Sequence, residues 1–227
     1  YSTGAVGESA GGLIGEKSKH LRVNASYSTG NLNIGAGGIV GALVGNWAVG
    51  NPNDLTNAQN DTNEYAYISN CYSTGQIGNS AGGIVGSSAL GVRIINSFST
   101  GDLTGQYAGG LLGASNFHST IQNSYTTGNL IGNATGGIVA GEAVSFVGTN
   151  LYSSGLGSFD SFSMPTNRGI YAETPNGQLD NYSDGSVTIA NSYSEQMHGN
   201  SGVLSLVNAQ AYLIWQVDGV EIWGYCE

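Results

Sequence analysis

The sequence predicts an all-β fold, a right-handed parallel β-helix (β-solenoid) of about seven coils with two loop insertions, and three observations predict it. A phrase of the form Tyr-Ser-Thr-Gly begins at Tyr1, Tyr27, Tyr72, Phe98, Tyr125, Tyr152 and Tyr193, with gaps of 26, 45, 26, 27, 27 and 41 residues. Each copy but the sixth is followed by a second, glycine-rich phrase such as Gly37-Gly38-Ile39-Val40-Gly41. The composition suits short strands and tight turns: 38 of 227 residues are Gly and only 9% are charged, with few of the residues that fill long helices. Four gaps agree within one residue, and the two long ones carry about 14 to 19 extra residues, as loop insertions into a regular stack would.

Aligned on the aromatic, the position four before it reads Val23, Ile68, Ile94, Ile121, Gly148 and Ile189, an apolar wall. The position two before reads Ala25, Asn70, Asn96, Asn123, Asn150 and Asn191. Stacked Asn residues could form an amide ladder that satisfies a buried polar turn, each amide donating to the next carbonyl, or Asn could simply tolerate the turn conformation there. The position one before is small, with Ser26, Cys71, Ser97, Ser124 and Ser192, except at Leu151. Beyond the aromatic come Thr3, Thr29, Thr74, Thr100, Thr127 and Ser154, each followed by a glycine that marks a corner, where positive φ is available and coils stay close.

An apolar step at Val6, Leu32, Ile77, Leu103 and Leu130 reads as a second strand. The glycine-rich phrase reads as a third, with one side chain inward and one outward. A unit of about 26 residues with three short strands cannot bury its own apolar face, so neighbours stack at roughly 4.8 Å per coil and seven coils make a rod about 34 Å long. The right-handed parallel helix is the expected solution.

The paired phrases resemble the GLUG repeat. The likeness covers residues 1 to about 155 well, and residues 189–207 form a weaker copy, since Gly202-Val203-Leu204-Ser205 lacks one of the paired glycines. The resemblance implies a β-helical stalk from a large secreted or surface-attached, adhesin-like protein, and it implies no catalytic residues. The solenoid is expected over 1–210, with insertions at about 46–64 and 158–185, and a cap or junction segment over 211–227. The chain opens inside a repeat phrase, without a leader, and is expected to be an ordered piece of a longer polypeptide.

The formal net charge is −10, from 15 acidic and 5 basic residues, which opposes phosphate binding and argues against nucleic acid as a partner. No apolar stretch reaches the 18 or more residues of a membrane span. An acidic, Lys-poor, Asn- and Thr-rich surface points to an extracellular, cell-surface or particle-surface location.

Candidate sites lie mainly in the insertions. Asp54, Asp61 and Glu64 could hold calcium through oxygen ligands, although their spacing fits no EF-hand or nonapeptide calcium motif and a solvated loop is the alternative. Phe159, Phe162, Tyr171 and Tyr182 either pin the second insertion to the rod or form a sugar or protein contact. Cys71 reads as a packed small residue, too many coils from Cys226 for a disulfide unless the C-terminal segment folds back. His20, His118 and His198 have no metal-site partners in sequence. Calcium is the one cofactor considered, and neighbouring subunits or cell-surface glycans are the expected partners.

The function expected is that of a rigid structural or adhesive stalk presenting loops for binding or assembly, without enzymatic activity. A polysaccharide-binding or polysaccharide-cleaving β-helix is the alternative; cleavage needs carboxylates flanking the scissile bond, and Asp102 and Glu142 stand in different columns. Ice binding through the Thr column is a third reading, set against hydroxyls that merely satisfy turn backbone.

Overall fold

A computed structural model describes residues 1–45, 66–140, 146–154, 188–190, 192–194, 214–217 and 220–223. The two insertions, with Asp54, Asp61, Glu64, Phe159, Phe162, Tyr171 and Tyr182, lie outside these residues, as do Asn191 and Cys226. The described chain is an all-β solenoid whose successive repeats pair in parallel, with no helix among the described residues.

Each repeat contributes a strand before its Asn and another beginning at the aromatic. They are β1 (Arg22–Asn24), β2 (Tyr27–Ser28), β3 (Ala66–Ser69), β4 (Tyr72–Ser73), β5 (Val92–Ile95) and β6 (Phe98–Ser99). In β7 (Thr120–Thr126) and β8 (Val147–Ser153) the two run together, and β9 (Thr188–Ala190) and β10 (Tyr193–Ser194) separate again. Register partners are the residues aligned from sequence: Val23 with Ile68, Ile68 with Ile94, Ile94 with Ile121, Ile121 with Gly148 and Gly148 with Ile189. The aromatics pair the same way from Tyr27 to Tyr193.

The apolar wall is buried from Val23 to Ile121. At Gly148 its missing side chain is offset locally: a Cβ there would lie 2.7 Å from Leu151 Cδ1 and 3.0 Å from Phe146 Cε1. Leu151, the one large residue in the small column, and Phe146 therefore occupy the space an isoleucine would need.

The apolar step is held by single parallel bridges, Val6 to Leu32, Leu32 to Ile77, Ile77 to Leu103 and Leu103 to Leu130, rather than by extended strands. The glycine-rich phrase departs from the expected alternation. Ile39 and Val40 are both fully buried, and so are Ile84 with Val85, Leu111 with Leu112 and Ile138 with Val139. The backbone bends between the two residues: the N–H groups of Ile39 and Val40 both donate to the carbonyl of Ile84, at 3.0 Å each. A corner of this kind turns both side chains inward, where a flat strand would send one out.

Across the coil, the buried residue after the aromatic, Ser28, Ser73, Ser99 or Thr126, meets the second glycine of a pair, Gly12, Gly38, Gly83 or Gly110. A Cβ on Gly38 would lie 2.7 Å from Ser73 Cβ, and one on Gly83 would lie 2.6 Å from Ser99 Oγ. This contact separates two apolar clusters. One holds Val23, Ile39, Val40, Ile68, Ile84 and Ile94, and the other holds Val6, Leu32, Ile77 and Leu103 with Ala36, Ala81 and Ala108. Only small residues fit where the two walls touch.

The C-terminal segment does not continue the parallel order. β11 (Ile214–Val217) and β12 (Val220–Trp223) form a separate two-stranded antiparallel sheet, with Ile214 opposite Trp223 and Val217 opposite Val220.

Candidate functional site

The outward face beside the sharp turn is the most regular surface of the described chain. Its first column is the amide ladder. Asn150 Nδ2 donates to Asn123 Oδ1 at 2.8 Å, Asn123 to Asn96 at 3.3 Å, Asn96 to Asn70 at 3.5 Å and Asn70 to Asn24 at 2.8 Å. The ladder thus reaches Asn24, one residue before the aligned Ala25. All five amides are exposed, so they serve a surface turn and not a buried one.

Asn70, Asn96, Asn123 and Asn150 have φ of 53°, 50°, 48° and 53°, and Ala25 has 50°. This is the left-handed region that Asn tolerates best among residues with a side chain. Ladder and turn tolerance therefore operate at the same residues. Among the described residues the corner glycines do not adopt positive φ; from Gly30 to Gly128 their role is close approach, as at Gly75, where a Cβ would lie 1.9 Å from the Gly30 carbonyl oxygen.

The small column behind the ladder is polar for a reason visible at Ser97. Its Oγ donates to the Ile95 carbonyl at 2.9 Å and accepts the Cys71 N–H at 3.2 Å. Ser124 repeats the pattern, donating to the Gln122 carbonyl at 2.7 Å and accepting the Ser97 N–H at 3.1 Å. Cys71 keeps the donor half, with Sγ 3.1 Å from the Ser69 carbonyl. Burial pushes its thiol pKa up, against the smaller opposing effect of backbone hydrogen bonds. A thiol held protonated is a poor nucleophile and metal ligand.

The second column is a stack of aromatic rings. Centroids of Tyr1 and Tyr27 are 5.1 Å apart, Tyr27 and Tyr72 5.0 Å, Tyr72 and Phe98 4.9 Å, and Phe98 and Tyr125 4.9 Å, with interplanar angles of 4–5°. The rings face one another along the stack, so they offer edges and hydroxyls to the side; the outer ring, Tyr1, is 79% exposed. Such a ladder lacks the open ring faces on which a sugar would lie. Thr29, Thr74, Thr100 and Thr127 stand exposed two residues further on.

No match is found for the chain among protein-family models, curated proteins or solved structures.

Among the described residues, chemistry beyond this face is sparse. No group of three or more His, Cys, Asp or Glu residues able to hold a metal occurs among the described residues. Asp102 acts structurally: Oδ1 accepts the Asn129 backbone N–H at 2.9 Å, as Asn31 Oδ1 accepts that of Gln76 at 3.1 Å. Burial lowers the His118 pKa, and its buried Nε2 has no hydrogen-bond partner among the described residues. No described helix is long and apolar enough to cross a membrane. Sequence reasoning missed the ring stack and the extension to Asn24; the recurrent aromatic at one register position was the available signal for the first.

Proposed function

We propose that the chain is a GLUG-type, right-handed solenoid of about seven coils with two loop insertions, serving as a rigid stalk in an extracellular surface or fibre-like protein. The observation that carries this reading is the uniform register of the stack. Every described repeat sets a residue over its counterpart in the next repeat, and neighbouring ring planes lie parallel within 4–5° at centroid separations of 4.9–5.1 Å. A stack held in register by amide and aromatic ladders extends coil by coil as one rod.

In this proposal the protein is structural, not catalytic, and its partners are neighbouring subunits or glycans met by the insertion loops, with calcium a candidate ligand for Asp54, Asp61 and Glu64. Polysaccharide binding remains the second reading, favoured by a neutral face of amides and hydroxyls repeating once per coil.

Imaging of the native surface or particle at a resolution that resolves coils tests the stalk. The expected result is a rod continuous with flanking density. A separate body with a polymer lying along the Thr column would replace the stalk by the second reading.

A further inference from the structure

The ring stack carries a chemical consequence that holds whether or not the chain is a stalk. Tyr1, Tyr27 and Tyr72 are consecutive phenols with centroid separations of 5.1 and 5.0 Å, whereas Phe98 separates Tyr72 from Tyr125. We propose that this column is a site of oxidative cross-linking, in which a one-electron oxidant of the haem peroxidase class, fed by hydrogen peroxide, joins adjacent tyrosines into dityrosine.

Each phenol gives up one electron and its proton to become a tyrosyl radical. Two neighbouring radicals form a carbon–carbon bond between ring positions ortho to oxygen, and the ortho hydrogens shift to oxygen to restore both phenols. The two electrons and two protons released reduce one peroxide to two waters, so the step balances.

Three features favour coupling within the column. The partner ring is already beside the radical, so the step is intramolecular and outpaces diffusive encounter. A net charge of −10 opposes the approach of a second copy. The rings reach solvent at their edges, Tyr1 at 79% exposure and Tyr27 and Tyr72 half-buried, so an electron can be taken from each without unfolding the stack. The product staples one coil to the next, which the buried Cys71 thiol does not do.

Tyr67 and Tyr107 are internal controls. The register neighbours of Tyr67 are Arg22 and Arg93, and Tyr107 stands outside the stack. The full chain, treated with a haem peroxidase and limiting peroxide, is read by dityrosine fluorescence and by mass spectrometry of cross-linked peptides. Linkages Tyr1–Tyr27, Tyr27–Tyr72 and Tyr125–Tyr152 are expected in monomeric protein, with none between Tyr72 and Tyr125. Tyr27→Phe should abolish the first two and leave the third. Phe98→Tyr should add linkages to Tyr72 and to Tyr125, a gain that loss of folding does not mimic. Cross-links distributed equally to Tyr67 and Tyr107, covalent dimers in place of intramolecular bridges, or tyrosine oxidation without dityrosine would each overturn the proposal.

Discussion

At the residue scale, Asn in the turn column combines a backbone role with a side-chain role, and two substitutions separate them. Asn96→Gly keeps access to the φ of 50° but removes the amide bonds to Asn70 and Asn123. Asn96→Ala removes the bonds and also places an ordinary side chain in the left-handed region, which costs about 1–2 kcal/mol. The alanine variant should therefore unfold at a lower urea midpoint than the glycine variant, whose own deficit against the unmodified chain reports the ladder bonds; the reverse order would show that the left-handed turn does not penalise alanine here. Cys71 gives a second test at this scale. Burial raises its pKa above the ordinary value of 9.0, so the folded chain holds the thiol proton more tightly than the unfolded chain. That contribution is full below the unfolded pKa and is lost as pH rises through the folded one. The urea midpoint of the unmodified chain should fall, relative to Cys71→Ser, as pH rises from about 8 to about 10; parallel profiles would mean that the thiol ionises freely in the folded protein.

At the element scale, glycine identity is decided by the neighbouring coil. A Cβ on Gly30 would sit 1.8 Å from the Gly4 carbonyl oxygen, while one on Gly4, in the same repeat position, meets nothing within 4 Å. Gly30→Ala forces two backbones apart and should destabilise by about 3 kcal/mol or more, as overpacking does, whereas Gly4→Ala should stay within about 0.5 kcal/mol. Equal denaturation midpoints would contradict the observed coil spacing. These elements also mark how far the sequence was legible. Register could be read because one aromatic, one Asn and one branched residue recur in fixed columns, and parallel pairing brings like over like. The glycine-rich corner could not, because alternation rules assume an extended strand and Ile39-Val40 bends. The Asn24 rung was hidden by a one-residue offset. The antiparallel pairing of β11 with β12 had a signal in Asp218-Gly219 between apolar runs, a combination that favours hairpins.

At the scale of the whole molecule, stability in a stack is the sum of weak individual coils and the interfaces between them. Leu13 and Ile14 in the first coil are only partly buried, while Ile39, Val40, Ile84 and Val85 behind them are fully buried. Their amides nevertheless make similar hydrogen bonds, 3.1 Å from Leu13 to the Ile39 carbonyl and 2.9 Å from Ile84 to the Leu111 carbonyl. Hydrogen-bond geometry alone would therefore give equal protection. Opening an inner coil breaks two interfaces, whereas in the isolated 227-residue polypeptide the coil of Leu13 and Ile14 has a neighbour on one side, so hydrogen exchange measured on that polypeptide should be slower at Ile84 and Val85 than at Leu13 and Ile14 by about tenfold or more, the factor that corresponds to about 1.4 kcal/mol. Oxidative stapling of Tyr1 to Tyr27 should narrow that gradient, because it ties the first coil to the second through their side chains. Uniform protection from Leu13 to Val85 before any cross-linking would show that the stack opens as one cooperative unit, and the coil-by-coil account of its stability would then fail.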